Sequence, residues 1–136
     1  MLGRSHALLV LAFLLPAGFM VLSCAPPPPA ESLETGRKVT RPMWRNHARF
    51  VFSGRAGEVI TLRVNSKSPG LDPQVSLLDP MHRVEAFDDD GGEHGNCFLA
   101  NHTLKRTGQY TVLVRSDGNV RGEVEVLLEK AKPPAH

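Results

Sequence analysis

The sequence predicts an all-β fold, an antiparallel β-sandwich of seven or eight short strands. Apolar residues recur at every second position in several segments, as they do at Ile60, Leu62 and Val64. A period of two places alternate side chains on opposite faces of a strand. Turn-forming residues separate these segments, and none of them keeps the 3.6-residue period of an amphipathic helix. Short alternating strands with regularly spaced turns are typical of sandwiches.

The predicted strands follow one another from the middle of the chain towards its end. Each strand stops at residues that favour a turn, such as Asp79-Pro80 or the stretch at 88–92. The strands are expected at residues 49–53, 60–65, 75–78, 84–87, 97–99, 110–115 and 124–128. Residues 130–136, which include Pro133-Pro134, are expected to form a disordered tail.

Residues 1–23 have the composition of a secretory signal peptide. Arg4 precedes an apolar run at 7–15, and Pro16 interrupts the chain before the sequence Val-Leu-Ser-Cys that ends at Cys24. The apolar stretch is too short and too broken to span a bilayer, which needs about 20 apolar residues. Its ending resembles the bacterial lipobox. This resemblance implies that Cys24 is acylated, with palmitate as a typical chain, and anchors the protein to a membrane. The alternative is a plain secreted protein in which Cys24 falls near the cleavage site by coincidence.

Residues 24–43 are predicted to form a tether between the lipid and the folded domain. The run Pro26 to Pro29 favours an extended polyproline II helix, which acts as a stiff spacer. The polar residues beyond it show no period that would bury a face. A proline run is also a ligand for aromatic grooves, which is the alternative. Ala25 stands where an Asp commonly retains Gram-negative lipoproteins in the inner membrane, so the resemblance favours the outer membrane in a Gram-negative source.

Charge and length limit what the remaining chain can be. Sixteen Lys and Arg residues less Arg4 leave 15 basic against 14 acidic residues after the signal is removed. This balance gives no polybasic arm, so nucleic acid is not an expected partner. One domain, residues 44–129, is left to fold, and a domain of this size buries only about 60–65% of its unfolded surface. Because lipid uses Cys24, Cys97 has no disulfide partner, and a metal or close packing has to supply any further stability.

The order of motifs across residues 44–129 resembles the bacterial pre-peptidase C-terminal domain. The pieces are Phe-x-Phe-x-Gly-x-x-Gly-x-x-Ile-x-Leu-x-Val at 50–64, Leu-Asp-Pro at 71–73, Leu-Leu-Asp at 77–79, Asp-Asp-Asp-Gly-Gly at 88–92, Leu-x-x-Thr-Gly-x-Tyr-x-Val-x-Val at 104–114 and Gly-x-Val at 122–124. The resemblance implies a jelly-roll-like sandwich of the kind appended to secreted peptidases and similar to collagen-binding domains, some of which bind calcium. Two features depart from the family and weigh against a peptidase-accessory role. The domain follows a lipoprotein-type signal rather than a peptidase, and Cys97 stands where a small or hydroxyl residue is usual.

A cluster of acidic residues is the main candidate for a ligand site. One glycine-rich loop carries Asp88, Asp89, Asp90 and Glu93. Calcium binds six to eight oxygen atoms in flexible geometry, and crowded carboxylates repel one another until a cation joins them. We therefore predict weak calcium binding through Asp72, Asp89 and Asp90, with Asn96 as a further oxygen donor, although the spacing is not that of an EF-hand. A solvated acidic turn is the alternative.

Other chemistry-bearing residues are expected to be structural. Cys97 is expected to be a small buried hydrophobe, and the Tyr110 hydroxyl is expected to bond to a nearby turn, as in a tyrosine corner. Trp44, the single tryptophan, either caps the sandwich or forms part of a binding surface. The histidines have no ligand-like spacing, and the sequence contains no motif for a nucleophile, a carboxylate pair or a phosphate, so no catalytic residue is predicted.

The sequence thus predicts a non-catalytic, lipid-anchored binding or interaction module of the bacterial cell envelope. The expected partners are the membrane, through the lipid at Cys24, and an unidentified envelope protein or polymer. Two alternatives stay open: an accessory or regulatory subunit of a secreted peptidase or other hydrolase, and a purely structural subunit of an envelope complex. A sandwich fold alone does not decide among them.

Overall fold

The computed structural model describes residues 26–89, 91–117 and 121–132, which form nine β-strands. The predicted signal peptide, Cys24 and Asp90 lie outside the described residues. The strands are β1 (Glu31–Ser32), β2 (Lys38–Pro42), β3 (His47–Gly54), β4 (Val59–Ser66), β5 (Pro73–Leu78), β6 (Val84–Asp88), β7 (Cys97–Thr103), β8 (Gly108–Ser116) and β9 (Glu123–Lys130). A single 3-10 turn, Glu93–Gly95, lies between β6 and β7. In this part of the chain no helix is long and apolar enough to cross a bilayer.

The strands form two sheets packed face to face. One sheet has the order β1-β3-β8-β5-β6 and the other the order β2-β9-β4-β7. Every pair is antiparallel except β1 with β3, which run parallel. The predicted all-β sandwich is confirmed, and each of the seven predicted strands corresponds to one of β3 to β9.

Strands β1 and β2 correct the predicted tether, which was expected to run to residue 43. Strand β2 pairs with β9, with Val39 opposite Val126, and Leu33 is 5% exposed in the core. The amide of Leu33 donates a hydrogen bond to the carbonyl oxygen of Val51, 2.8 Å away. Isolated apolar residues in a polar segment carry too little periodic signal to identify short edge strands. Of the described tether, residues 26–30 precede the first strand and have no regular structure.

The core lies between the two sheets and follows the alternation seen in the sequence. Strand β4 buries Ile60, Leu62 and Val64 completely. The central strand β8 is buried on both faces, because Leu113 on its outer face is only 8% exposed. Among the described residues, the nine strands and all buried hydrophobic residues lie between residues 31 and 130. A chain that begins at residue 25 therefore keeps the complete sandwich.

The register of the strands places several loops at one end of the sandwich, here called the Trp44 end. Strand β3 begins here opposite the end of β8, and β2 ends here opposite the start of β9. The loops from β2 to β3, from β4 to β5 and from β6 to β7 meet at this end. Because β1 runs parallel to β3, the preceding prolines also lie here, and Pro27 to Pro29 line a shallow pocket together with Trp44, His47 and Arg49.

Candidate binding surfaces

A tight turn displays Trp44 at the start of β3. The backbones of Trp44 and His47 bond to each other in both directions, with N···O distances of 2.8 and 3.0 Å. The two residues between them, Arg45 and Asn46, have φ angles of 45° and 67°, as a type I′ turn requires. The carbonyl oxygen of Asn46 accepts a further bond from the amide of Ser116 at 3.0 Å. The bond from Ser116 fixes the turn against strand β8. The left-handed geometry of Arg45 is uncommon for an arginine.

The side chain of Trp44 lies at the surface of the sandwich, not in its core. Its ring meets the His47 ring edge-on, with centroids 5.5 Å apart, and the Arg45 guanidinium lies 4.7 Å from the centroid of the indole ring. A cation over an indole face is an attractive arrangement. Beside this ring opens a cleft of about 800 Å³, lined by Met43, Arg121 and Glu123 among others. Trp44 is thus placed where a binding residue would be, and its role in binding stays a prediction.

Three exposed arginines surround the Trp44 turn. Arg121 lines the cleft beside Trp44, and Arg49 lines the pocket that Trp44 shares with the prolines. Arg115 stands opposite His47 on strand β8. None of the three forms an ion pair with any residue that the structure describes. Together with Arg45 they give this side of the Trp44 end a positive surface.

The acidic loop lies at the same end of the sandwich but at its opposite edge, between β6 and β7. Asp88 has a structural role, because its Oδ2 atom accepts hydrogen bonds from the amides of Gly91 at 2.9 Å and Phe98 at 2.8 Å. The amide of Gly92 donates to the carbonyl oxygen of Asn96 at 2.8 Å. The Asn96 side chain in turn accepts a bond from the amide of Ser66 at 2.9 Å. These hydrogen bonds fix the shape of the loop.

The predicted calcium ligands are only partly described. Asp72 and Asp89 are exposed, and Asp90 lies outside the described residues. Within the residues that are described, no three His, Cys, Asp or Glu side chains are grouped so that they could hold a metal ion. The described carboxylates therefore do not form a calcium site by themselves, and calcium binding stays a prediction.

Cys97 is a buried thiol, as expected. It is 1% exposed, and its Sγ atom lies 2.9 Å from the carbonyl oxygen of Pro73 in the other sheet. Burial, reinforced by the negative charges of Asp88, Asp72 and Asp89, raises the pKa of this thiol to about 12. A thiol that stays protonated and enclosed is not a nucleophile.

A buried polar cluster closes the end of the sandwich opposite to Trp44. The Tyr110 hydroxyl lies 2.8 Å from the carbonyl oxygen of Arg106 and accepts a bond from the Arg106 amide at 3.0 Å, so the predicted tyrosine corner is confirmed. Glu85, 3% exposed at its side chain, lies 3.2 Å from this hydroxyl, accepts from the amide of Lys105 at 3.0 Å and contacts Nε2 of His102 at 2.9 Å. Burial disfavours the charge of Glu85, but these hydrogen bonds outweigh it and lower the pKa of the carboxyl. This role of Glu85 could not be predicted, because Glu85 falls within an ordinary strand pattern.

Exposed apolar side chains lie along and beside the edge strand β6. Val84 is 64% exposed, Phe87 53% and Met81 62%; these three residues are here called the β6 patch. Ala86 is the β6 residue that packs against the core. The patch is not needed to complete that core. The strand pattern predicted β6 but not which of its side chains remain uncovered.

Solved structures with the same fold place these surfaces in context. The pre-peptidase C-terminal domain of a collagenase from Bacillus anthracis superposes with a TM-score of 0.62 at 18% identity, covering 76% of this chain and 98% of that domain. The fold is that of a pre-peptidase C-terminal domain. The expected resemblance is thus confirmed at the level of fold. No family model matches the chain, and no curated protein matches it either.

Two further structures share this pre-peptidase C-terminal fold. A periplasmic inhibitor of g-type lysozyme from Aeromonas hydrophila has a TM-score of 0.57 at 9% identity, covering 75% of this chain and 96% of the inhibitor. The Salmonella Typhimurium inhibitor has a TM-score of 0.54 at 12% identity, covering 76% of this chain and all of the inhibitor. At such identities the likeness concerns the fold alone.

Proposed function

We propose that this chain is a non-catalytic protein-binding module of the bacterial cell envelope, held at a membrane by a lipid on Cys24. The β6 patch is the observation that carries the binding role. Val84 and Phe87 expose more than half of their surface on an edge strand. Clustered apolar side chains left in water on a small domain favour a protein contact.

The chemistry of the buried groups supports a non-catalytic role. Glu85 and Asp79 already accept several hydrogen bonds from their own surroundings, and the pKa of Cys97 is raised to about 12. Groups occupied in this way stabilise the fold and are not available to a substrate. His94 is exposed on the loop before β7, without a described partner that would make it a base.

An extracytoplasmic location is supported by two independent features. The sequence upstream of Cys24 has the pattern of a lipoprotein signal, and two proteins with the same fold are periplasmic inhibitors. An outer-membrane position rests on Ala25 alone and applies to a Gram-negative source.

Site-specific photo-crosslinking tests the role of the β6 patch. A benzophenone side chain placed at Phe87 in cells is expected to give a discrete adduct with an envelope protein. The same group placed at Gln109, an exposed residue of strand β8 in the same sheet, is the matched control and is expected to give none. Replacing Val84 and Phe87 by serine is expected to abolish a complex with that protein while changing the free energy of unfolding by only about 0.5 kcal/mol per residue, as is usual for surface substitutions. Equal crosslinking at both positions, or none at either, would refute the assignment of the patch.

Inhibition of a cell-wall hydrolase is a second candidate, favoured by the two lysozyme inhibitors that share the fold. The purified chain is titrated into a g-type lysozyme acting on peptidoglycan. If the candidate is right, hydrolysis falls as the chain approaches equimolar amounts, and the V84S/F87S double variant inhibits at least tenfold less. Undiminished hydrolysis at a large excess of the chain removes this candidate and leaves the crosslinking experiment to decide the first.

A further inference from the structure

We infer that the Trp44 end of the sandwich lies directly on the anionic phospholipid surface of the membrane, through Trp44 and the arginines around it. This inference deepens the proposed function and rests on it for the lipid at Cys24. It adds a second, non-covalent membrane contact and thereby an orientation of the domain.

The chain length between the lipid and the domain brings this end close to the membrane. Two residues, Ala25 and Pro26, separate Cys24 from Pro27, so the chain between them spans at most about 11 Å. Pro27 to Pro29 line one shallow pocket with Trp44, His47 and Arg49. Since the tether is already seated on the domain at that point, a lipid on Cys24 leaves the Trp44 end roughly one Debye length from the headgroups at physiological salt.

The charge at this place suits an anionic surface. Arg45, Arg49, Arg115 and Arg121 surround the turn, whereas Asp117 and Glu123 are the acidic residues next to it. Glu31 does not reduce this charge further, because it forms an ion pair with Arg41. Basic residues close to a membrane are attracted by anionic headgroups, by about fivefold in partition for each residue.

The aromatic residue suits the same surface. Trp44 is amphipathic and only partly covered, with the Arg45 guanidinium over its ring. Tryptophan is enriched at the level of lipid headgroups, where its ring is partly in water and partly in the acyl boundary. A residue that only capped the core would not need the strained turn of Arg45, with its φ angle of 45°, to present it outwards.

With the Trp44 end on the membrane, the acidic loop and the β6 patch lie away from the lipid surface. Strand β6 lies at the far edge of the five-stranded sheet from β1, about 19 Å across at the usual spacing between strands. A domain that rests on the β1 and β2 side of its Trp44 end keeps the acidic loop away from the anionic surface. It also leaves the β6 patch open to a protein partner.

Trp44 is the only tryptophan of the chain, so its fluorescence reports this contact directly. The probe is a non-lipidated chain of residues 25–136, mixed at low salt with vesicles of phosphatidylcholine containing one third phosphatidylglycerol. We expect a blue shift of the emission, quenching by lipids brominated near the headgroup, and loss of both effects in 0.5 M salt. Vesicles of phosphatidylcholine alone are expected to bind at least tenfold more weakly.

Two double variants with the same change in charge separate a specific patch from general attraction. R49Q/R121Q is expected to lower the partition coefficient about 25-fold. R55Q/K105Q removes two positive charges at the opposite end and is expected to lower it less than threefold. Equal losses in the two variants, no blue shift with the wild-type chain, or equal binding to neutral vesicles would overturn the inference. A blue shift produced by an acidic protein but not by vesicles would overturn the inference too, and would assign the Trp44 end to a protein partner.

This experiment tests the membrane contact of the Trp44 end separately from the lipid on Cys24. The probe carries no lipid, so binding of the 25–136 chain stands even if Cys24 proves not to be acylated. Conversely, if Cys24 is acylated but the non-lipidated chain does not bind the vesicles, the proposed function stands and the membrane contact of the Trp44 end is refuted.

Discussion

At the scale of single residues, the molecule uses its buried polar groups for stability. Glu85 and Tyr110 illustrate how far the sequence can predict such roles. The aromatic ring and its position before a turn indicated a tyrosine corner, because that motif depends on local spacing. Glu85 was not predicted, since its donors come from β7 and the loop after it, 17 and 20 residues away in sequence. Contacts between distant segments leave no periodic signal.

Glu85 makes the stability of the domain depend on acid. Its hydrogen bonds lower the pKa of the carboxyl in the folded state, whereas the unfolded group titrates near pH 4.3. A lowered pKa contributes stability that is complete above the unfolded value and is lost as the pH falls through the folded value. We expect Glu85→Gln to lower the free energy of unfolding by about 1–3 kcal/mol at pH 7, and the difference from wild type to shrink below about pH 4.

Thermal melts between pH 7 and pH 3 measure this effect. The control is Glu34→Gln, which changes a carboxylate whose side chain is 69% exposed and is expected to move the melting temperature by no more than about 2 °C. A Glu85→Gln variant that is as stable as wild type at pH 7, or whose deficit persists unchanged at pH 3, would show that the charge of Glu85 does not stabilise the fold.

At the scale of elements, the sequence predicted strands β3 to β9 but not the short strands β1 and β2. Period-two alternation identified β3, β4, β8 and β9, and turn residues on either side delimited the shorter strands β5, β6 and β7. Strands β1 and β2 were assigned to the tether, since neither the two-residue strand nor the five-residue edge strand fully buries a side chain. The acidic loop was recognised, but its shape depends on Asp88 bonding across to Phe98, which sequence spacing does not reveal.

Calcium binding by the acidic loop is the prediction that concerns a single element. If calcium binds through Asp72, Asp89 and Asp90 in the folded state only, calcium at about a hundredfold excess over its Kd adds about 2.7 kcal/mol. In a domain of this size that raises the melting temperature by roughly 10 °C or more.

A melt in millimolar calcium is compared with one in chelator, for the wild type and for D89A/D90A. The matched control is Asp117→Ala, an exposed carboxylate at the same end but outside the loop. It is expected to keep the full calcium shift, whereas D89A/D90A loses it. Equal melting temperatures of the wild type in calcium and in chelator would make the loop a solvated acidic turn, held by the hydrogen bonds of Asp88 and Asn96.

At the scale of the whole molecule, the two ends of the sandwich differ in character. The Trp44 end contains the tether, the half-buried indole and several arginines, whereas the opposite end is closed by the cluster around Tyr110. The sequence predicted the fold and its resemblance to the pre-peptidase C-terminal domain from ordered motifs. It did not predict that Trp44, Arg49 and Arg121 lie together, because only the register of the sheets brings them to one end.

Acylation of Cys24 tests most directly whether this sandwich works at a membrane. Cells expressing the full chain are fed an alkyne analogue of palmitate, and the protein is followed by click labelling and by fractionation. The chain supplies its own control, because Cys97 is the only other cysteine and is buried with a raised pKa. We expect wild type and Cys97→Ser to carry the label and to fractionate with membranes, and Cys24→Ser to do neither. An unlabelled wild type, or a label that survives in Cys24→Ser, would contradict the lipid anchor.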